Sequence, residues 1–145
     1  VIKLLDGIID IYMPDAKYGS NDIAAHLSRI PDYVGVMKDA IREMHRQVGD
    51  LVIRDGIAAR GLLVRHLVLP ENLAGSDLVL PWLAEEISRD TYVNIMDQYR
   101  WPSSIVPSAT IKEKPKYRAL LRSLTGKEYA EAVRWAKASG LHRGF

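Results

Sequence analysis

Apolar positions in this chain follow two rhythms: short runs rich in β-branched residues, and longer stretches spaced by three or four. The run 61–69 is almost continuously apolar and is stopped by Pro70. That is the pattern of a strand buried on both faces, and proline ends it because it lacks the ladder N–H and fixes φ. A polar loop, 71–75, follows. Ser76 and Asp77 then offer N-cap oxygens to an apolar-periodic stretch, 78–87. Pro81 suits a first helical turn, which allows this helix to begin as late as Leu80.

The same reading predicts strands over 8–13, ended by Pro14-Asp15, and over 91–96, ended by the polar cluster Asp97-Gln98-Tyr99-Arg100. Residues 1–5 read as the last turn of a helix, and 21–28 as a short one. Val34, Met37, Ile41, Met44 and Val48 recur at helical spacing, with Gly49 as a stop. The stretch 51–60 reads as a hairpin, because Asp55-Gly56 suits a type I′ turn. Thr125 and Glu128 form a capping-box pattern opening a helix over 127–138, which Gly140 closes.

Strands alternating with helices predict an α/β fold of parallel βα units, with right-handed crossovers placing strand ends 13–17, 69–73 and 96–100 on one face. In such units chemistry collects at the carboxyl ends of strands. Arg65 and His66, polar within an apolar strand, are therefore the first candidates. Residues 1–100 are expected to form one body, 101–116 an extended loop, and 117–145 a helical segment of the same domain.

The chain has 145 residues and 48% hydrophobic content, enough for one sizeable core. Its net charge of +2 does not argue for nucleic acid. No apolar run reaches membrane-spanning length and no leader pattern opens the chain, so a cytoplasmic protein without membrane partners is expected. With no cysteine, these residues supply neither a disulfide nor a thiolate ligand.

Three segments carry a resemblance: Asp10-Ile11-Tyr12-Met13-Pro14-Asp15-Ala16-Lys17-Tyr18, Leu63-Val64-Arg65-His66-Leu67-Val68-Leu69-Pro70, and Tyr92-Val93-Asn94-Ile95-Met96-Asp97-Gln98-Tyr99-Arg100. In this order and spacing they resemble successive strand motifs of radical S-adenosylmethionine proteins, most closely those similar to pyruvate formate-lyase activating enzyme. The resemblance runs from about Val1 to Arg100 and resumes more weakly over 124–143. It implies the carboxyl-terminal half of a partial TIM-type (β/α)6 barrel. The complete protein would bind S-adenosylmethionine and a [4Fe–4S] cluster and cleave the cosubstrate reductively to a 5′-deoxyadenosyl radical. Its target would be a protein, such as a glycyl radical enzyme, or a small molecule. The family's Cys-x3-Cys-x2-Cys loop and Gly-Gly-Glu motif are absent here, and Trp101 stands where the family commonly has proline. This chain alone is thus expected to lack the redox centre.

By the same resemblance, Asp15 and Lys17 match an acidic and basic pair lining the cosubstrate site. Lys17 could hold a carboxylate or ribose oxygen and Asp15 an ammonium, although both residue types are also ordinary in a solvated turn. The guanidinium of Arg65 suits a carboxylate, and equally a structural ion pair. Asp97, Gln98 and Tyr99 could touch the adenine or methionyl part, or form a polar cap at the strand end. His66 reads as a hydrogen-bonded packing residue, while His26, His45 and His142 read as surface residues without metal-ligand spacing. Trp82 and Trp135 read as helix-packing residues, and Met13, Met37, Met44 and Met96 as core.

Two further roles stand beside the enzymatic one. One is a non-catalytic module that binds a partner or self-associates through an exposed sheet edge. The other, phosphate binding at the helix start after Gly75, rests only on a general habit of βα units.

Overall fold

In a computed structural model that describes residues 1–101 and 115–145, with side chains of 115–117 not described, the chain forms a four-stranded sheet. After a 3-10 turn, Ile2–Leu5, come β1 (Ile11–Tyr12), α1 (Asn21–Ser28), α2 (Tyr33–Val48), β2 (Val52–Arg54) and β3 (Ile57–Leu67). A 3-10 turn, Pro70–Asn72, leads to α3 (Ser76–Trp82), a π-helical turn Leu83–Ile87 and β4 (Tyr92–Met96). A 3-10 helix, Pro115–Leu121, precedes α4 (Gly126–Ala138).

The sheet is mixed, which corrects the expected parallel half of a (β/α)6 barrel. β1 and β4 run parallel to β3, but β2 is antiparallel to it. The reason is local. Asp55 and Gly56 both take positive φ, 52° and 78°, the conformation of a type I′ turn that folds β2 back on β3. Backbone directions place the partners. Gly61 N–H donates to Asp10 O on one edge of β3, whereas Leu62 N–H donates to Gly49 O and Val68 N–H to Met96 O on the other. β1 therefore lies on one side, and β2 and β4 follow each other along the opposite side.

β1 covers only Ile11–Tyr12 of the expected 8–13, and past its end Pro14, which has no N–H, interrupts the ladder. Its register nevertheless continues through an isolated bridge between Asp15 and Arg65. β3 is longer than its apolar run, since the hairpin extends it toward its start. Pro81 sits inside α3 rather than in its first turn. It removes one helical N–H bond, and the π-helical turn directly after it accommodates the break.

Alternation along the strands divides the two faces. Tyr12, Leu62, Val64, His66, Val93 and Ile95 are buried against Met37, Ile41, Val79, Leu80, Leu83, Ala132 and Ala136 from the helices. On the other face, Ile11, Met13 and Asn94 are exposed, and Leu63, Arg65, Leu67, Tyr92 and Met96 are half-buried. The long helices thus cover one side of the sheet. On the other, Leu67 packs on a smaller cluster with Ile23, Leu69 and Leu120, and among the described residues the rest of that face is open. At the start of β4 the tail closes part of this open face, with the Arg143 guanidinium 5.8 Å from the Tyr92 ring and donating to Leu51 O at 2.7 Å. The expected loop 101–116 falls almost wholly outside the described residues.

Candidate functional site

Parallel register aligns side chains of equal height on the same face. Asp15 pairs with Arg65 and Arg65 with Asn94, so these polar residues form a row across the open face. Arg65 Nε donates to Asp15 Oδ1 at 2.7 Å and Nη2 lies 2.6 Å from the same oxygen. Lys17 Nζ stands 3.8 Å from Asp15 Oδ2, a looser pairing, with its side chain 56% exposed. The structure thus brings Asp15, Lys17 and Arg65 together. The Arg65 ion pair is only half-buried, at 38% and 31% side-chain exposure, so solvent or a ligand reaches both partners.

Gln98 and Tyr99 are engaged elsewhere. The Gln98 amide lies 3.4 Å from Met96 Sδ, and Tyr99 donates its hydroxyl to Leu120 O at 2.8 Å while packing with Leu69, Leu120 and Trp101. Burial pushes the Tyr99 phenol above its ordinary value. This hydroxyl ties the strand end to the carboxyl-terminal segment.

The segment carrying Asp15 and Lys17 is held from several sides. Ala16 N–H donates to Arg65 O, and Arg65 N–H to Pro14 O. Tyr33, at the start of α2, accepts from Lys17 N–H at 2.7 Å and donates to Asp15 O at 3.1 Å. Its phenol takes the place of a neighbouring strand at that edge, and burial raises its pKa. Farther on, Gly19 N–H donates to Ala74 O. A Cβ on Gly19 would lie 2.8 Å from Gly75 O, so the loops after β1 and β3 meet backbone to backbone.

Beneath this segment lies a residue that sequence reading set aside. His66 is 0% exposed, as is Ser76. Its Nδ1 is 2.6 Å from Ala16 O and its Nε2 is 2.8 Å from Ser76 Oγ. A carbonyl only accepts, so Nδ1 carries the proton, and in the neutral ring Nε2 accepts from the Ser76 hydroxyl. Burial lowers the His66 pKa from the ordinary 6.5, against a smaller opposing effect of the Ala16 carbonyl. The sequence signal was a histidine inside an otherwise apolar strand.

Glu71 and Asn72, in the loop after β3, both take left-handed φ, 54° and 53°. Glu128 of α4 accepts from Glu71 N–H at 2.8 Å while completing its own capping box with Thr125 and pairing with Arg122. Asn72 accepts from Ser76 N–H, which fixes the start of α3. Beside this loop a cavity of 180 Å³ is lined by Glu71, Asn72, Glu128, Glu131 and Trp135, among others. Among the described residues, no group of His, Cys, Asp or Glu is placed to hold a metal ion, and no helix is long and apolar enough to cross a membrane. His45 is not a free surface residue, since it is half-buried with Nε2 3.1 Å from Asp50.

Against curated proteins, 141 residues, 97% of this chain, align at 30% identity with the uncharacterized protein MJ0674 of Methanocaldococcus jannaschii. The chain spans 35% of that relative's length. No family model matches the chain, and no solved structure matches it.

Proposed function

We propose that this chain supplies one wall of an S-adenosylmethionine site in a protein of radical S-adenosylmethionine type. The observation that carries the reading is the open sheet face. There Asp15, Arg65 and Asn94 form a polar row beside apolar Met13, Leu63 and Met96, with Lys17 at its rim. Such a surface offers charge-assisted partners for an amino-acid head group and apolar area for a nucleoside. Arg65 would meet the carboxylate, Asp15 the ammonium, and Lys17 a ribose oxygen. The cluster is another matter: with no cysteine in the sequence, these residues do not fit an iron–sulfur group, and no step through one is assigned to them. A protein target, such as a glycyl radical enzyme, or a small molecule belongs to the same proposal.

Calorimetric titration of the chain with S-adenosylmethionine tests it. Without a cluster to chelate the amino-acid group, binding should be weaker than roughly 1 μM, or about −8 kcal/mol, and should vanish in Arg65→Ala. Equal affinity of the wild type and Arg65→Ala would contradict this reading.

A second reading, a module that self-associates, has its own support. Ile8, Ile11 and Met13, in and beside β1, are 68%, 38% and 56% exposed, and a groove of 420 Å³ is lined by Pro14, the residue after Met13, with Ile30, Tyr33, Val36 and Met37.

A further inference from the structure

We propose that His66 is a proton-operated latch on the segment that carries Asp15 and Lys17. Neutral, the imidazole ties this segment to the start of α3; protonated, it lets the segment open. The argument begins with placement. His66 is wholly buried, and its two ring nitrogens bond to two other parts of the chain, Ala16 after β1 and Ser76 at α3. In the neutral tautomer with the proton on Nδ1, the ring donates to Ala16 O and accepts from the Ser76 hydroxyl. The charged ring would keep the Ala16 bond and reverse the one to Ser76, so what opposes charging is burial.

Charging the ring would make Nε2 a second donor. The Ser76 hydroxyl would have to turn and lose its present acceptor, and a cation would stand in the apolar core. Among the described residues no anion is at hand to offset this. Asp15, next to Ala16, is engaged by Arg65 and Lys17, and the strand alternation puts Arg65 on the opposite face from His66. Asp77, next to Ser76, accepts from the Asn72 amide at 2.5 Å. From β4 the register partner is Ile95, which is uncharged. Burial and the Ala16 carbonyl are the influences on the ring's proton affinity, with no carboxylate among them.

The cheapest relief is local. The segment's other attachments are a few hydrogen bonds, Lys17 N–H and Asp15 O to Tyr33, Gly19 N–H to Ala74 O, Ala16 N–H to Arg65 O and Arg65 N–H to Pro14 O, together with the half-exposed Asp15–Arg65 ion pair. Leu62 and Val93, by contrast, sit fully buried in the ladder. Opening the segment wets the imidazole without dismantling the sheet, so protonation should favour local opening over global unfolding. The latch stands whether or not the face binds S-adenosylmethionine.

Amide hydrogen exchange on the intact chain between pH 7.5 and 5, expressed as protection factors, is the test. Protection at Ala16, Lys17 and Gly19 should fall by up to about tenfold per pH unit below the ordinary histidine value near 6.5. Protection at Leu62 and Val93 should hold. In His66→Gln, which keeps hydrogen-bonding capacity without titrating, the pH dependence of the segment should disappear. Should that variant fail to fold, ring nitrogen shifts of wild-type His66 followed alongside the same amides keep the test decisive, since ring protonation and segment opening must coincide. Flat protection at the segment, a parallel fall across the whole chain, or a pH dependence surviving in His66→Gln would each overturn the latch.

Discussion

A single carboxylate, Glu128, does several jobs at the end of α4. It accepts from Thr125 N–H at 2.9 Å, from Glu71 N–H at 2.8 Å and from both terminal nitrogens of Arg122. The Arg122 guanidinium, outweighing the opposing effect of burial, holds its carboxyl well below the ordinary carboxylate range. Arg46, then Gln47, hold Glu43 down to about 2. For both groups the folded pKa lies below the unfolded one. Their stabilisation is therefore complete above about 4.5 and lost as pH falls toward 2. Glu128→Gln should destabilise the chain by about 1–2 kcal/mol at neutral pH, the usual cost of a lost cap, and flatten its acid transition. Urea unfolding at pH 7 and pH 3 checks this; an unchanged pH slope in the variant would count against it. At the loop contact, Gly19→Ala should cost about 1–3 kcal/mol by forcing a Cβ against Gly75, as overpacking does.

Among the elements, the hairpin, α2 and the capping box of α4 were legible because their signals are local. Asp55-Gly56 needs only its own backbone, and Thr125 with Glu128 needs only one helical turn. The parallel half-barrel was not borne out, because the Asp55-Gly56 turn folds β2 back antiparallel on β3, making the sheet mixed. Nothing in residues 52–54 encodes that they would share an edge with β4. The position of Pro81 was misjudged for a similar reason: a π-helical turn further along absorbs the lost bond. Of the candidate residues, Asp15, Lys17 and Arg65 meet because parallel register fixes their heights, whereas Tyr99 is claimed by Leu120, a partner that no local pattern announces. Tyr33 was missed entirely. Its phenol stands in for a strand at Asp15 and Lys17, so Tyr33→Phe should cost about 1 kcal/mol, the net worth of a hydrogen bond. It should also speed exchange at Lys17; unaltered exchange there would show that the phenol holds nothing.

The whole molecule has an uneven boundary. Its helical side is closed, whereas the β1 edge and the open face leave Ile8, Ile11 and Met13 to solvent among the described residues. An apolar strand edge is a template for pairing with another chain, and a second copy is the partner we assign to it. Light scattering at tens of micromolar, roughly the range in which exposed edges associate, should show a species larger than the monomer. Met13→Lys should shift it toward the monomer. A clean wild-type monomer would remove the assignment.

The central claim concerns the open face, and mapping amide shifts of the isotopically labelled chain during titration with S-adenosylmethionine tests it most directly. The account predicts saturable shifts at Met13, Asp15, Lys17, Arg65 and Asn94, with Glu71 and Glu128 unmoved. Shifts centred on the cavity beside Glu71 and Glu128, or none at millimolar ligand, on the order of −4 kcal/mol, would contradict it.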